Sequence, residues 1–262
     1  MKNRFIALLI FLFPAVLMAE LEHPLMLKAP DIYRKVRFDY MDLETRNDTV
    51  YERKQALLFE GEYSFLKYYS FSFSGGRYKR NKTDTEELDY FERFQAGLKA
   101  RKYWENKLLT GAFINLYSSQ ADLPKTEDEN HTLFLAEGGF SLGYLFNQSR
   151  LTATIFLQTE SNYKFREEYG QQFRRFYQYE LGYTWLWKEN LDLLVETAYR
   201  QPYDRDIDRE SMFWYLYPGL LYKTSIGNFG VSLQYPMKKE NREKGFKFTF
   251  IRYFKNISIK AE

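Results

Sequence analysis

The stretch YQYELGYTWLW, residues 177–187, decides the fold. Tyr177, Tyr179, Leu181, Tyr183, Trp185 and Trp187 alternate with Gln178, Glu180, Gly182 and Thr184; Leu186 is the one interruption. A strand points successive side chains to opposite faces, so this period of two predicts one apolar and one polar face. The same pattern recurs in YSFSFSG (69–75), FGVSLQY (229–235) and FKFTF (246–250). Weaker alternation over 33–42, 54–65, 92–102, 107–118, 132–146, 151–161, 190–201 and 211–223 brings the expected number of strands to twelve.

The joints between these segments are of two kinds. Short ones centre near Leu66–Lys67, Glu105–Asn106, Asn147–Gln148, Lys188–Glu189 and Ile226–Gly227. Between them lie longer polar stretches at 43–52, 79–90, 119–131, 162–172, 202–210 and 237–244. Short turns at one end and long loops at the other are the asymmetry of bacterial outer-membrane barrels. Aromatics crowd the short turns: Phe65, Tyr68, Tyr69, Tyr103, Trp104, Tyr144, Phe146, Trp185, Trp187 and Tyr222. An interfacial girdle predicts that clustering, because Trp and Tyr rings favour headgroup depth.

Composition agrees. The chain has 262 residues, no cysteine, 19% aromatic and 28% charged residues, and a mean hydropathy of −0.56. Helical membrane proteins need about 20 consecutive apolar residues per span, and disordered chains are poor in aromatics. A barrel with a lipid face and a wet interior reconciles many Phe and Tyr with low hydropathy. The expected class is therefore all-β, a 12-stranded antiparallel up-and-down transmembrane β-barrel over 33–254.

Lys2 and Arg4 precede an apolar run, Phe5 to Met18, with Ala19 before Glu20, the first acidic residue. This is the layout of a cleavable signal peptide, 1–19. It leaves a periplasmic segment 20–32, a tail or a lumen plug, and a C-terminal periplasmic tail 255–262. Cleavage removes two bases and no acid, so the formal charge falls from +3 to +1. A nucleic-acid partner has no support at that balance, and without cysteine no disulfide framework holds the exported chain.

Residues Glu243–Phe250, EKGFKFTF, look like the final-strand signal that outer-membrane barrels present to the barrel-assembly machinery, here followed by eight further residues after Phe254. FEGEYSFLKYYSFSFSGGRY (59–78), FQAGLKARKYW (94–104), ELGYTWLWKENLDLLVETAYR (180–200) and YLYPGLLYKTSIGNFGVSLQYPM (215–237), with the Pro218–Gly219 pair, follow one another in a familiar order. They resemble the family of outer-membrane barrels assigned to transport in the meta-pathway of phenol degradation. That resemblance covers nearly all of the chain after residue 19. It implies traffic of small organic molecules and supplies no catalytic motif.

The interior face by parity holds Glu60, Glu62, Arg93, Gln95, Lys99, Arg101, Glu137, Gln178, Glu180, Asp192, Glu196 and Arg200, with Arg37, Asp39, Gln158, Gln234 and Lys247. Charged rings lining a pore set its selectivity; opposite charges pairing across a narrow lumen would close it. Two readings follow. One is a passive outer-membrane channel for small solutes, aromatic or apolar ones included. The other is a closed barrel with a structural, adhesive or assembly role acting through loops 119–131, 162–172 and 202–210. Outer-membrane lipid and lipopolysaccharide are expected partners in both, with Glu127, Asp128 and Glu129 a weak divalent-cation bridge.

An enzyme is not expected. The only histidines are His23 and His131, and neither has partners at catalytic or ligand spacing. The run Asp204, Asp206, Asp208, Glu210 begins like a calcium loop, but Arg209 stands where Gly belongs and Tyr215 where Glu belongs. No cofactor or metal is expected.

Overall fold

The computed structural model describes residues 34–46, 51–82, 88–104, 107–122, 132–161, 174–203, 212–238 and 243–254. Twelve strands appear in chain order: β1 (Lys35–Arg46), β2 (Tyr51–Leu66), β3 (Tyr69–Lys82), β4 (Leu88–Trp104), β5 (Leu108–Asp122), β6 (Thr132–Leu145), β7 (Ser149–Ser161), β8 (Arg174–Lys188), β9 (Leu191–Pro202), β10 (Phe213–Lys223), β11 (Asn228–Pro236) and β12 (Glu243–Tyr253). Each pairs antiparallel with its chain neighbours, and β12 returns to β1, closing the barrel. Closure leaves no unpaired edge, which is what lets a sheet stand in lipid. The expected signal peptide 1–19, the expected segments 20–32 and 255–262, both histidines and the acidic runs 127–129 and 204–210 lie outside the described residues.

Register shows how the faces are sorted. From Lys35 at the start of β1, successive partners are Glu62, Ser72, Gly97, Asn115, Glu137, Gln158, Phe176 and Pro202. All nine are buried. One residue further along β2 the neighbouring line runs Tyr63, Phe71, Leu98, Ile114, Gly138 and Leu157. Its five side chains are apolar rings or branched chains, and all are exposed. The outer face is therefore apolar and the inner one mostly polar, the inverse of a water-soluble sheet. The same line starts at the short-turn end of β1 and finishes at the long-loop end of β9. Strands must therefore be staggered and tilted, by about 35–45° in barrels of this kind.

Nine of the ten turn-flanking aromatics, Phe65, Tyr68, Tyr69, Tyr103, Trp104, Tyr144, Phe146, Trp187 and Tyr222, are exposed. Lys102 lies 3.7 Å over the Trp104 ring, and Lys188 lies 5.2 Å over Trp187. Cations over indoles fit a surface where headgroups meet hydrocarbon.

The strands outrun the expected ones at the long-loop end. β1 continues to Arg46, β2 starts at Tyr51, β3 reaches Lys82 and β4 starts at Leu88, so the stretches 43–52 and 79–90 are mostly ladder. β5 likewise runs to Asp122. Alternation marks only the part of a strand that stands in hydrocarbon. Beyond it both faces turn polar, and the backbone ladder continues without a sequence signature.

Candidate functional site: the barrel interior

Charge concentrates on the wall made by β12, β1, β2 and β4. Lys35, 1% exposed, places its Nζ 3.0 Å from Glu60 and 3.5 Å from Glu62. Lys99 reaches the same Glu62 carboxylate at 3.2 Å, and Ser70 donates to it at 2.8 Å. Two strands share Asp39: Arg37 donates from Nε at 2.9 Å, Lys247 lies at 3.2 Å and Thr249 donates at 2.7 Å. These pairs run along the wall, within one strand or between strands that are adjacent or one apart. Nearer the long loops, Lys54 bridges Glu243 at 2.9 Å and Glu52 at 3.4 Å, and Gln234 donates to Glu243.

Aromatic side chains occupy the other side of the interior. Tyr215 and Tyr217 pack with Ala198 and Phe213 between β9 and β10. Phe176 on β8 is fully buried, with the Arg200 guanidinium 3.6 Å from its ring centroid and 5.8 Å from that of Phe213. Phe113 and Phe156 meet edge to face at 5.7 Å on β5 and β7. Polar residues punctuate this side. Glu137 accepts from Asn115 at 2.7 Å and from the Tyr117 hydroxyl. Gln178 donates to Glu180 at 2.7 Å, and Asp192 meets Lys223 at 3.0 Å near a short turn.

The residues expected on the inner face fall into separate groups. Glu60, Glu62 and Lys99 join in one ionic network. Gln95 accepts from Ser74 at 3.2 Å on the same side. Arg101 sits at the short-turn rim, its guanidinium 5.0 Å over Tyr103. Glu137 stands alone among them on β6, while Gln178, Glu180, Asp192, Glu196 and Arg200 share β8 and β9 with the aromatics. Arg93 holds an inner-face register position on β4, opposite Gly76 and Ser119, but its side chain lies outside the described ones.

Sequence reasoning missed Lys35, Lys223 and the whole aromatic side. β10 reads FWYLYPGLLYK, with rings on both faces, so alternation of polarity is blind there. Parity counted back from Tyr222 at the short turn would have placed Tyr215, Tyr217 and Leu221 inside.

No family model and no curated protein matches the sequence. Solved structures do match. The outer membrane channel from Pseudomonas putida is similar over 89% of this chain and 100% of its own, at 13% identity and a TM-score of 0.61. The translocator domain of the autotransporter NalP from Neisseria meningitidis covers 84% of this chain and 87% of its own, at 8% identity and TM-score 0.55. The transport unit of the autotransporter AIDA-I from Escherichia coli covers 97% of each chain, at 12% identity and TM-score 0.51. Identities this low establish a shared fold: that of bacterial outer-membrane barrels.

Proposed function

We propose that the protein is an outer-membrane channel for small solutes, exported through its signal peptide and inserted by the barrel-assembly machinery. The observation that carries this reading is the division of the interior into an ionic wall and an aromatic side. A water-filled pore for ions needs only polar lining; a solute with an apolar ring and a polar substituent is matched by both surfaces at once. Aromatic faces hold rings by offset stacking and edge contacts, while fixed charges select among substituents. The fold shared with the Pseudomonas putida outer membrane channel is consistent with a channel, and the sequence resemblance to phenol-pathway transporters points to small aromatic or apolar solutes.

The purified protein in a planar bilayer tests this, together with uptake of a labelled phenol into liposomes. Discrete conductance steps with phenol uptake above that of empty liposomes are expected. A protein that is folded by heat-modifiable gel migration yet gives neither refutes the channel. One observation favours the second reading, a closed barrel acting through its external loops. Inner side chains cover one another closely, with Lys35, Asp192, Glu196, Phe176 and Thr249 at most 1% exposed.

A further inference from the structure

Toward the long-loop end the outer face carries aromatics on some strands, Tyr177, Tyr199 and Trp214 among them, and charges on others, such as Arg77 and Lys79 on β3. On the seam of β12, β1 and β2 the outward polar groups gather into one cluster. On it the outward pairs Phe38 with Phe59 and Phe250, then Tyr40 with Leu57 and Phe248, are followed by Asp42 with Gln55 and Phe246. Asp42 accepts from Arg53 through Nε at 2.8 Å and through Nη2, from Gln55 at 3.1 Å and from the Tyr40 hydroxyl at 3.2 Å. Gln55 also donates to the Tyr40 hydroxyl at 3.0 Å. One step further out, Glu44 pairs with Lys244 at 3.1 Å. The Arg53 and Lys244 side chains remain about half exposed, at 47% and 55%. Between the two ion pairs a cavity of about 440 Å³ opens on the outer surface, walled also by Tyr51 and Tyr235.

A charged cluster facing outward at this depth meets the outer leaflet where hydrocarbon gives way to headgroups. Burial against the interior does not account for it, because it lies on the opposite face from the lumen. We propose that this seam is a binding site for the headgroup of lipopolysaccharide, a phosphorylated amino-sugar disaccharide carrying acyl chains. The guanidinium of Arg53 is held by Asp42 with its outer edge presented, and with the Lys244 ammonium it receives phosphate; charge-assisted bonds of this kind are the strong ones. Carboxylates of Asp42 and Glu44 and the tyrosine hydroxyls accept from sugar hydroxyl and amide groups. The rings of Tyr51 and Tyr235 give a sugar an apolar floor, and Phe246 at the level of Asp42, with Phe248 and Leu57 one step below, takes the acyl chains. A phosphatidylglycerol molecule offers one phosphate and no sugar, so it satisfies only half of these groups. The site does not depend on whether the lumen conducts.

The test is native mass spectrometry of the full barrel released from nanodiscs of phosphatidylglycerol doped with purified lipid A. One retained lipid A per barrel is expected after mild delipidation. Arg53→Gln combined with Lys244→Gln should lower that occupancy at least tenfold, while Lys102→Gln, at the opposite end of the barrel, leaves it unchanged. Heat-modifiable migration verifies that each variant is folded, and Arg53→Gln alone, with an expected severalfold loss, serves if the double variant does not fold. A photo-crosslinker at position 51 should label lipid A. Equal retention by variant and parent, equal retention of phosphatidylglycerol, or a crosslink to a second copy of this chain each overturns the assignment.

Discussion

Replacing Glu62 by Gln tests the ionic wall directly. Glu62 is buried and its carboxylate receives Lys99 at 3.2 Å and Lys35 at 3.5 Å. At an effective dielectric of about 20, each contact is worth roughly 5 kcal/mol of Coulomb attraction, before the cost of taking the charges out of water. Removing one member of a buried pair typically costs about 3–5 kcal/mol, because the orphaned charge stays behind. Lys35 keeps Glu60 at 3.0 Å, which places the expected loss at the lower end, about 3 kcal/mol. Urea unfolding of the protein in liposomes should show this as a lowered midpoint. In a Lys99→Met background the same substitution should cost only about 1 kcal/mol, since the charge it would orphan has gone. Selectivity should shift as well. Lys35, Arg37, Lys99 and Lys247 face Asp39, Glu60 and Glu62 on this wall, so Glu62→Gln raises its net charge and should move the reversal potential toward anions. A cost below about 1 kcal/mol, or an equal cost in both backgrounds, would refute the shared network.

Three further outcomes follow from other parts of the barrel. A Cβ on Gly245 would press on the Asp42 carbonyl oxygen and lie 2.8 Å from Leu43 Cα; Gly245→Ala should therefore push β12 from β1 and cost about 1–3 kcal/mol, read as a smaller heat-modifiable fraction after refolding. Truncating Tyr217, which packs against Tyr215 on the inner face with ring centroids 6.1 Å apart, should raise single-channel conductance in Tyr217→Ala; unchanged conductance would remove that ring from the permeation path. Arg200→Met takes the cation from Phe176 at 3.6 Å and should weaken inhibition of ion current by added phenol, while Arg200→Lys should retain most of it.

The fold was legible because lipid imposes a simpler rule than water does. Outward residues in the hydrocarbon are mostly apolar, so the period of two is unbroken at 229–235 and broken at 177–187 only by Leu186, and parity carried Glu60, Lys99 and Glu196 to the inner face. The interior obeys no such rule. It tolerates Phe176 and Tyr217 as readily as Glu180, since neighbouring side chains rather than a bulk solvent decide what each position touches. A charge can be assigned to the inner face from sequence, but not to a partner: Lys99 on β4 meets Glu62 on β2 only because the intervening β3 position is the small Ser70, whose hydroxyl joins the same carboxylate. The departures on the outer face work the other way. Asp42 and Arg53 break the rule that made the barrel readable, and they break it together, on adjacent strands, at the height where the rule expires. Other outward charges stand at that height, Arg77 and Lys79 on β3 among them; what recommends the seam is that Asp42, Arg53, Glu44 and Lys244 gather with Tyr51 and Tyr235 round one cavity.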